Sequence, residues 1–136
     1  MILNAKKRLY ITKCQKLGIC RSCHAPAITK DYCIKHRDYY NQKALAYVTR
    51  CRLQVLNHYG AKCNCCNEDQ LGFLTIDHIN NDGAKQRKEL NYSHIYPWII
   101  RNHYPNTLQI LCMNCNWGKR WNKGECPHKQ KVLSGV

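Results

Sequence analysis

Three side chains in this sequence are of the types that can work on a phosphate ester. Asp77 and His78 are adjacent in the run Leu74-Thr75-Ile76-Asp77-His78-Ile79, and Asn116 follows Cys112-Met113-Asn114-Cys115. A carboxylate and an amide oxygen are hard donors, suited to Mg²⁺ or Mn²⁺ rather than to a soft metal. Magnesium keeps several of its waters, so two protein ligands plus a substrate oxygen make a reasonable shell. A neutral imidazole is fitted to take a proton from water near pH 7. Neighbouring side chains on a strand point to opposite faces, so Asp77 and His78 can serve one site only where the strand ends or bulges. That suits divided roles, with Asp77 on a cation and His78 on a water. Taken singly, each residue has a plainer reading: the Asp-His pair as a hydrogen-bonded pair, Asn116 as a helix cap.

The cysteines frame these residues. Cys63 and Cys66 form one Cys-x-x-Cys, Cys112 and Cys115 a second, with 45 residues between the pairs. Two such pairs are the usual source of a closed tetrahedral Zn²⁺ site of four thiolates. A gap this long makes the zinc a staple on a larger unit, with the working residues inside the closed loop. Cys65 lies between the first pair; adjacent thiols rarely share one zinc, so it is read as packing. Upstream, Cys20 and Cys23 are followed after nine residues by Cys33 and then His36, the spacing of a Cys₃His zinc knuckle. Arg21, Lys30, Lys35 and Arg37 surround it. With both sites full, Cys126 and His128 are read as structural or unassigned. Two structural Zn²⁺ are expected.

The run Leu-Thr-Ile-Asp-His-Ile, the run Leu-Gln-Ile-Leu-Cys-x-x-Cys-Asn-x-x-Lys and the four bracketing cysteines resemble the HNH (ββα-metal) endonucleases over roughly residues 55–125. The resemblance implies metal-dependent hydrolysis of DNA phosphodiester bonds, leaving 5′-phosphate and 3′-hydroxyl ends. His78 then matches the general base, and Asp77 and Asn116 match the Mg²⁺-binding positions. One site cuts one strand, so the implied enzyme nicks DNA, or breaks both strands as a homodimer or in two visits. One position departs from the pattern. The middle Asn that orients the base falls on Thr107, and Asn106 sits one residue early. Orientation would pass to a backbone carbonyl or, through a shifted turn, to Asn106. The resemblance further suggests a phage, mobile-element or bacterial origin, and so the cytoplasm of a bacterial or phage-infected cell.

A formal charge of +14 on 136 residues favours a polyanionic partner. Residues 1–52 hold 12 Lys and Arg against 2 acidic residues, and residues 53–136 hold 10 against 6, so the excess is concentrated near the start. The expected partner is DNA, with Arg87, Lys88, Lys119 and Arg120 as phosphate contacts. Only 1 Phe and 2 Met stand against 11 Cys, so the apolar core is modest and metal must supply much of the stability. The ligand-like cysteine spacing argues for a reducing compartment rather than a disulfide framework. Met1–Lys6 lacks a signal-peptide core and no apolar run approaches transmembrane length, so an intracellular protein without membrane contact is expected.

The elements that must position these residues follow from periodicity and punctuation. A loose helix is expected within 1–18. A long one spans 34–59, with Tyr40, Ala44, Tyr47, Val48, Cys51, Val55 and Tyr59 on a core-facing stripe. Residues 71–76 read as a strand, 80–83 as a turn and 86–88 as a loop. A helix over 94–103 is capped by Ser93, with Pro97 in its first turn. A second strand spans 108–111, then a short helix runs to Trp121 and a basic tail follows. The fold class is α+β: a small zinc-stabilised ββα-metal module over 41–136, including its linking helix, and a knuckle segment over 1–40. The rival is a non-catalytic zinc-stabilised nucleic-acid-binding protein. A redox or zinc sensor built on Cys14, Cys51, Cys65 and Cys126 lacks any Cys-x-x-Cys spacing among those four.

Overall fold

A computed structural model describes residues 4–90 and 94–129. The chain divides into two compact units, Met1–Tyr47 and Val48–Val136. The boundary falls within a helix, seven residues beyond the expected division after residue 40.

In the first unit, helix α1 (Ala5–Lys16) is capped by Asn4, whose side chain accepts from the Lys7 amide at 2.9 Å. Of its residues only Cys14 is buried. Gly18 takes φ +64, turning the chain so that Ile19 bridges Pro26 and the knuckle cysteines begin. Helix α2 (Ile34–His58) opens directly after Cys33. The stripe expected along it is only half realised. Tyr40, Ala44 and Tyr47 are exposed, whereas Cys51, Val55 and Leu56 are buried. Periodicity marks a face; only the last turns of this helix have a core to face.

The second unit holds the end of α2, strand β1 (Leu74–His78), helices α3 (Gly83–Leu90) and α4 (Ile95–Arg101), strand β2 (Leu108–Cys112) and helix α5 (Met113–Trp121). The strands pair antiparallel, Leu74 with Cys112, Asp77 with Gln109, His78 with Leu108. Val55, Leu56, Leu74, Ile76, Ile99, Leu108, Ile110 and Leu111 form one core with Cys63, Cys112, Cys115 and Cys126. Cysteines are thus a third of the buried cluster, as the scarcity of large apolar residues requires. Arg52 of α2 donates to the carbonyls of Leu71 and Leu74, fixing where β1 begins. Tyr59 donates to the Pro105 carbonyl at 2.6 Å, and His58 stacks on Tyr104 at 3.8 Å.

Three local expectations change. The first strand starts at Leu74 rather than 71 and carries Asp77 and His78 within it. Residues 86–88 are helical, because Gln86 N–H reaches the Asp82 carbonyl at 3.0 Å and continues a helix opened at Gly83. Ser93 lies outside the described residues; α4 is preceded by His94, which makes no side-chain cap bond, and ends at Arg101. The architecture is therefore mixed helix with a small two-stranded antiparallel sheet. Among the described residues no helix is long and apolar enough to cross a membrane.

Candidate active site and metal centres

Asp77 and His78 occupy the last two positions of β1, and the turn that follows, with Asn81 at φ +60, lets both face one cavity. That cavity, of about 700 Å³, is lined by Asp77, His78, Gly83, Arg87, Asn116 and Arg120 among others. Asn116 comes from the second turn of α5. Its helix is started by Cys112, whose Sγ accepts from the Cys115 amide at 3.4 Å. The half-buried Asn116 amide has no partner among the described residues.

His78 is held by a residue that sequence reasoning passed over. Its Nε2 lies 2.6 Å from Gln86 Oε1. A carboxamide oxygen only accepts, so Nε2 is the donor in this contact, and in a neutral imidazole Nδ1 is the nitrogen left to accept. Neither Asn106 nor a backbone carbonyl does this; Thr107 instead accepts from Ile79 N–H at 3.0 Å. The first position of α3 is Gly83, and a Cβ there would sit 2.6 Å from His78 Nδ1. Glycine therefore keeps open the space beside the imidazole lone pair. A glutamine on a short charged helix carries no signal by spacing alone, and the sequence predicts only a loop at 86–88.

The expected role of Lys119 does not survive. It is 5 % exposed, and its ammonium donates to Asp77 Oδ2 at 2.7 Å, to the His78 carbonyl at 2.7 Å and to the Ile79 carbonyl at 3.1 Å. An ammonium has three protons, so none is left for a phosphate. Lys119 borders the same cavity, but its ammonium is turned to the end of β1 and the turn after it. Gln109, opposite Asp77 across the sheet, adds a bond to the same Oδ2 at 2.8 Å. Both donors fall on Oδ2, leaving Oδ1 without either. Arg87 and Arg120 line the cavity as exposed cations; Lys88 is exposed on α3 but not at the cavity; Lys123, assigned to the tail, joins the lining.

Both expected thiolate groups assemble. Cys20, Cys23, Cys33 and His36 bring their donor atoms within 4.8 Å of one another, as do Cys63, Cys66, Cys112 and Cys115. Cys23 and Cys33 sulfurs are 3.7 Å apart and Cys66 and Cys112 sulfurs 3.6 Å. A tetrahedron with Zn–S near 2.3 Å has edges of about 3.8 Å, so these groups are sized for zinc. Two thiols are shifted toward the thiolate form. Burial opposes ionisation of Cys20, but the amides of Cys33, Ser22 and Cys23 outweigh it and bring it to about 6. Burial likewise opposes ionisation of Cys63, and the amides of Cys112, Cys66 and Cys65 bring it to about 7.

A third group lies beyond what ligand spacing predicts. Cys65, Cys126 and His128, read as packing and as unassigned, converge with Cys115 to the same 4.8 Å limit. Burial, then the neighbouring Cys126 thiol, pushes Cys65 up to about 11. No protein-family model, no curated protein and no solved structure matches the chain.

Proposed function

We propose that this protein is a divalent-metal-dependent endonuclease of the HNH (ββα-metal) kind, hydrolysing DNA phosphodiester bonds. The observation that carries the proposal is the convergence of His78, Asp77 and Asn116 on one cavity rimmed by Arg87, Arg120 and Lys123. Asp77 Oδ1 and the unpartnered Asn116 amide are the groups that would hold Mg²⁺ or Mn²⁺. When bound, such a cation acts as a Lewis acid on the phosphate and its leaving oxygen. His78, with Nε2 donating to Gln86, presents Nδ1 to accept a proton from water. Arg87 and Arg120 offer guanidinium forks to phosphate oxygens.

The test is a supercoiled plasmid with Mg²⁺ and the zinc-loaded protein. The expected result is nicked or linear product that EDTA stops and that Asn116→Ala loses. Alanine suits a helix interior, so this variant should fold. One observation favours the rival, a nucleic-acid-binding protein without catalysis: Lys119 already neutralises Asp77. Salt-sensitive DNA binding with no cutting by wild type, in Mg²⁺ or Mn²⁺, would establish that rival.

Binding itself makes a further prediction. Arg87→Ala and Arg120→Ala should each reduce the slope of log K against log salt by about 1, while Lys119→Met leaves it unchanged. Fluorescence anisotropy of a labelled duplex across a salt series reads this directly. Equal slopes for all three variants would remove both arginines from the interface.

A further inference from the structure

We propose that the Cys115 thiolate bridges two zinc ions, one completed by Cys63, Cys66 and Cys112, the other by Cys65, Cys126 and His128. The inference is independent of the nuclease reading. Two tetrahedra that share one corner need seven donors, and the two groups together supply seven side chains with Cys115 common to both. The second group has the dimensions of a coordination shell: Cys115 Sγ lies 3.4 Å and Cys126 Sγ 3.7 Å from His128 Nδ1. With Zn–S near 2.3 Å and Zn–N near 2.0 Å, the S···N edge of a tetrahedron is about 3.5 Å. Cys115 is fully buried at the centre of this arrangement and Cys126 is 5 % exposed.

The chain after α5 is shaped to deliver these ligands. Gly124, at φ +94, donates to the Lys119 carbonyl at 3.0 Å and reverses the direction of the backbone. Pro127 then lies so close to α5 that a Cβ on Gly118 would be 2.9 Å from its Cδ. Any larger residue at 118 would lift Cys126 and His128 away from Cys115. On the other side, the turn that holds Cys63 and Cys66 presents Cys65 between them. The spare thiol of that turn thus belongs to the second ion, which explains three cysteines within four residues where one Cys-x-x-Cys needs only two.

Charge favours the second ion as well. A zinc on four thiolates carries a net charge of −2. A second Zn²⁺ entering with two new thiolates and a neutral imidazole leaves that total unchanged, so no additional net charge is buried. Without it, Cys126 is a buried thiol and Cys65 a half-buried one beside a metal site, neither with a ligand role.

Native mass spectrometry of the full chain, purified in reductant and dialysed against metal-free buffer, counts the ions. The expected wild type carries three zinc ions, one in the Cys20–His36 group and two in the joint cluster. The double variant Cys126→Ser/His128→Ala should carry two. A wild type that holds only two, or a variant that still holds three, would overturn the proposal. Should the variant fail to fold, ¹¹³Cd NMR of the cadmium-loaded wild type decides. Three resonances are expected, two of them split by ¹¹³Cd–¹¹³Cd coupling through the shared sulfur. Three unsplit resonances would show that Cys115 is not shared.

Discussion

Lys119→Met is expected to destabilise the second unit by about 3–5 kcal/mol, the usual cost of stranding one partner of a buried ion pair. The side chains of Lys119 and Asp77 are only 7 % and 10 % exposed, and their contact is 2.7 Å. Methionine keeps most of the stem volume, so the loss is not a cavity effect. What it removes is the ammonium, and with it one donor to each of Asp77 Oδ2, the His78 carbonyl and the Ile79 carbonyl, of which the His78 carbonyl still accepts from Asn81 N–H at 3.1 Å. Gln109 would still donate to Asp77, but a single amide does not neutralise a buried carboxylate. Chemical denaturation at fixed free zinc measures the change, because metal bound only by the folded state adds to apparent stability. Adding Asp77→Asn to Lys119→Met should recover part of the loss, since the second change removes the stranded charge. A single-variant effect below about 1 kcal/mol would mean that water reaches Asp77 and the pair is effectively a surface one.

This pair also shows where sequence reasoning stops. The nearness of Asp77, His78 and Asn116 to one another, both strands, the last helix and the first two ligand groups are legible from residue types and from Cys-x-x-Cys and Cys-x-x-His spacing. Lys119 is not, because a lysine at i+3 from a site residue has two directions open to it. The acceptors gathered at the end of β1, the Asp77 carboxylate and the His78 and Ile79 carbonyls, select the inward one. Gln86 and Gly83 were hidden for a similar reason. Each acts on His78 across a turn whose helical continuation depends on a single amide reaching Asp82. The third ligand group is hidden by counting: with four private ligands for each zinc, Cys65, Cys126 and His128 have no place. Sharing Cys115 is visible only when the tail is seen folded back on α5. The exposed half of the α2 stripe errs in the other direction, since a pattern exists there without a core to receive it.

His78→Ala is expected to slow plasmid cleavage by about 10²–10⁴-fold, the range for removing a general base, with zinc content and DNA affinity preserved. Under the proposed nuclease reading, Gly83→Ala tests separately whether His78 acts through Nδ1. Gly83 opens α3 and is not held at a positive φ, so alanine is compatible with its backbone and any cost of the change comes from its methyl. Its methyl, however, would lie 2.6 Å from Nδ1 and 3.0 Å from Cε1 of His78. Either the imidazole swings away from Gln86, or the methyl takes the space a nucleophilic water must occupy. A displacement of this size should cost about 10²-fold in kcat, with KM for the plasmid little changed. The double variant His78→Ala/Gly83→Ala gives the decisive comparison. If glycine acts only by keeping space at the imidazole, the double variant is no slower than His78→Ala alone. A further 10²-fold loss in the double variant would show that Gly83 serves the cavity by another route, such as the placement of Arg87 one helical turn along α3. Equal cleavage by wild type and His78→Ala would remove the imidazole from the reaction altogether.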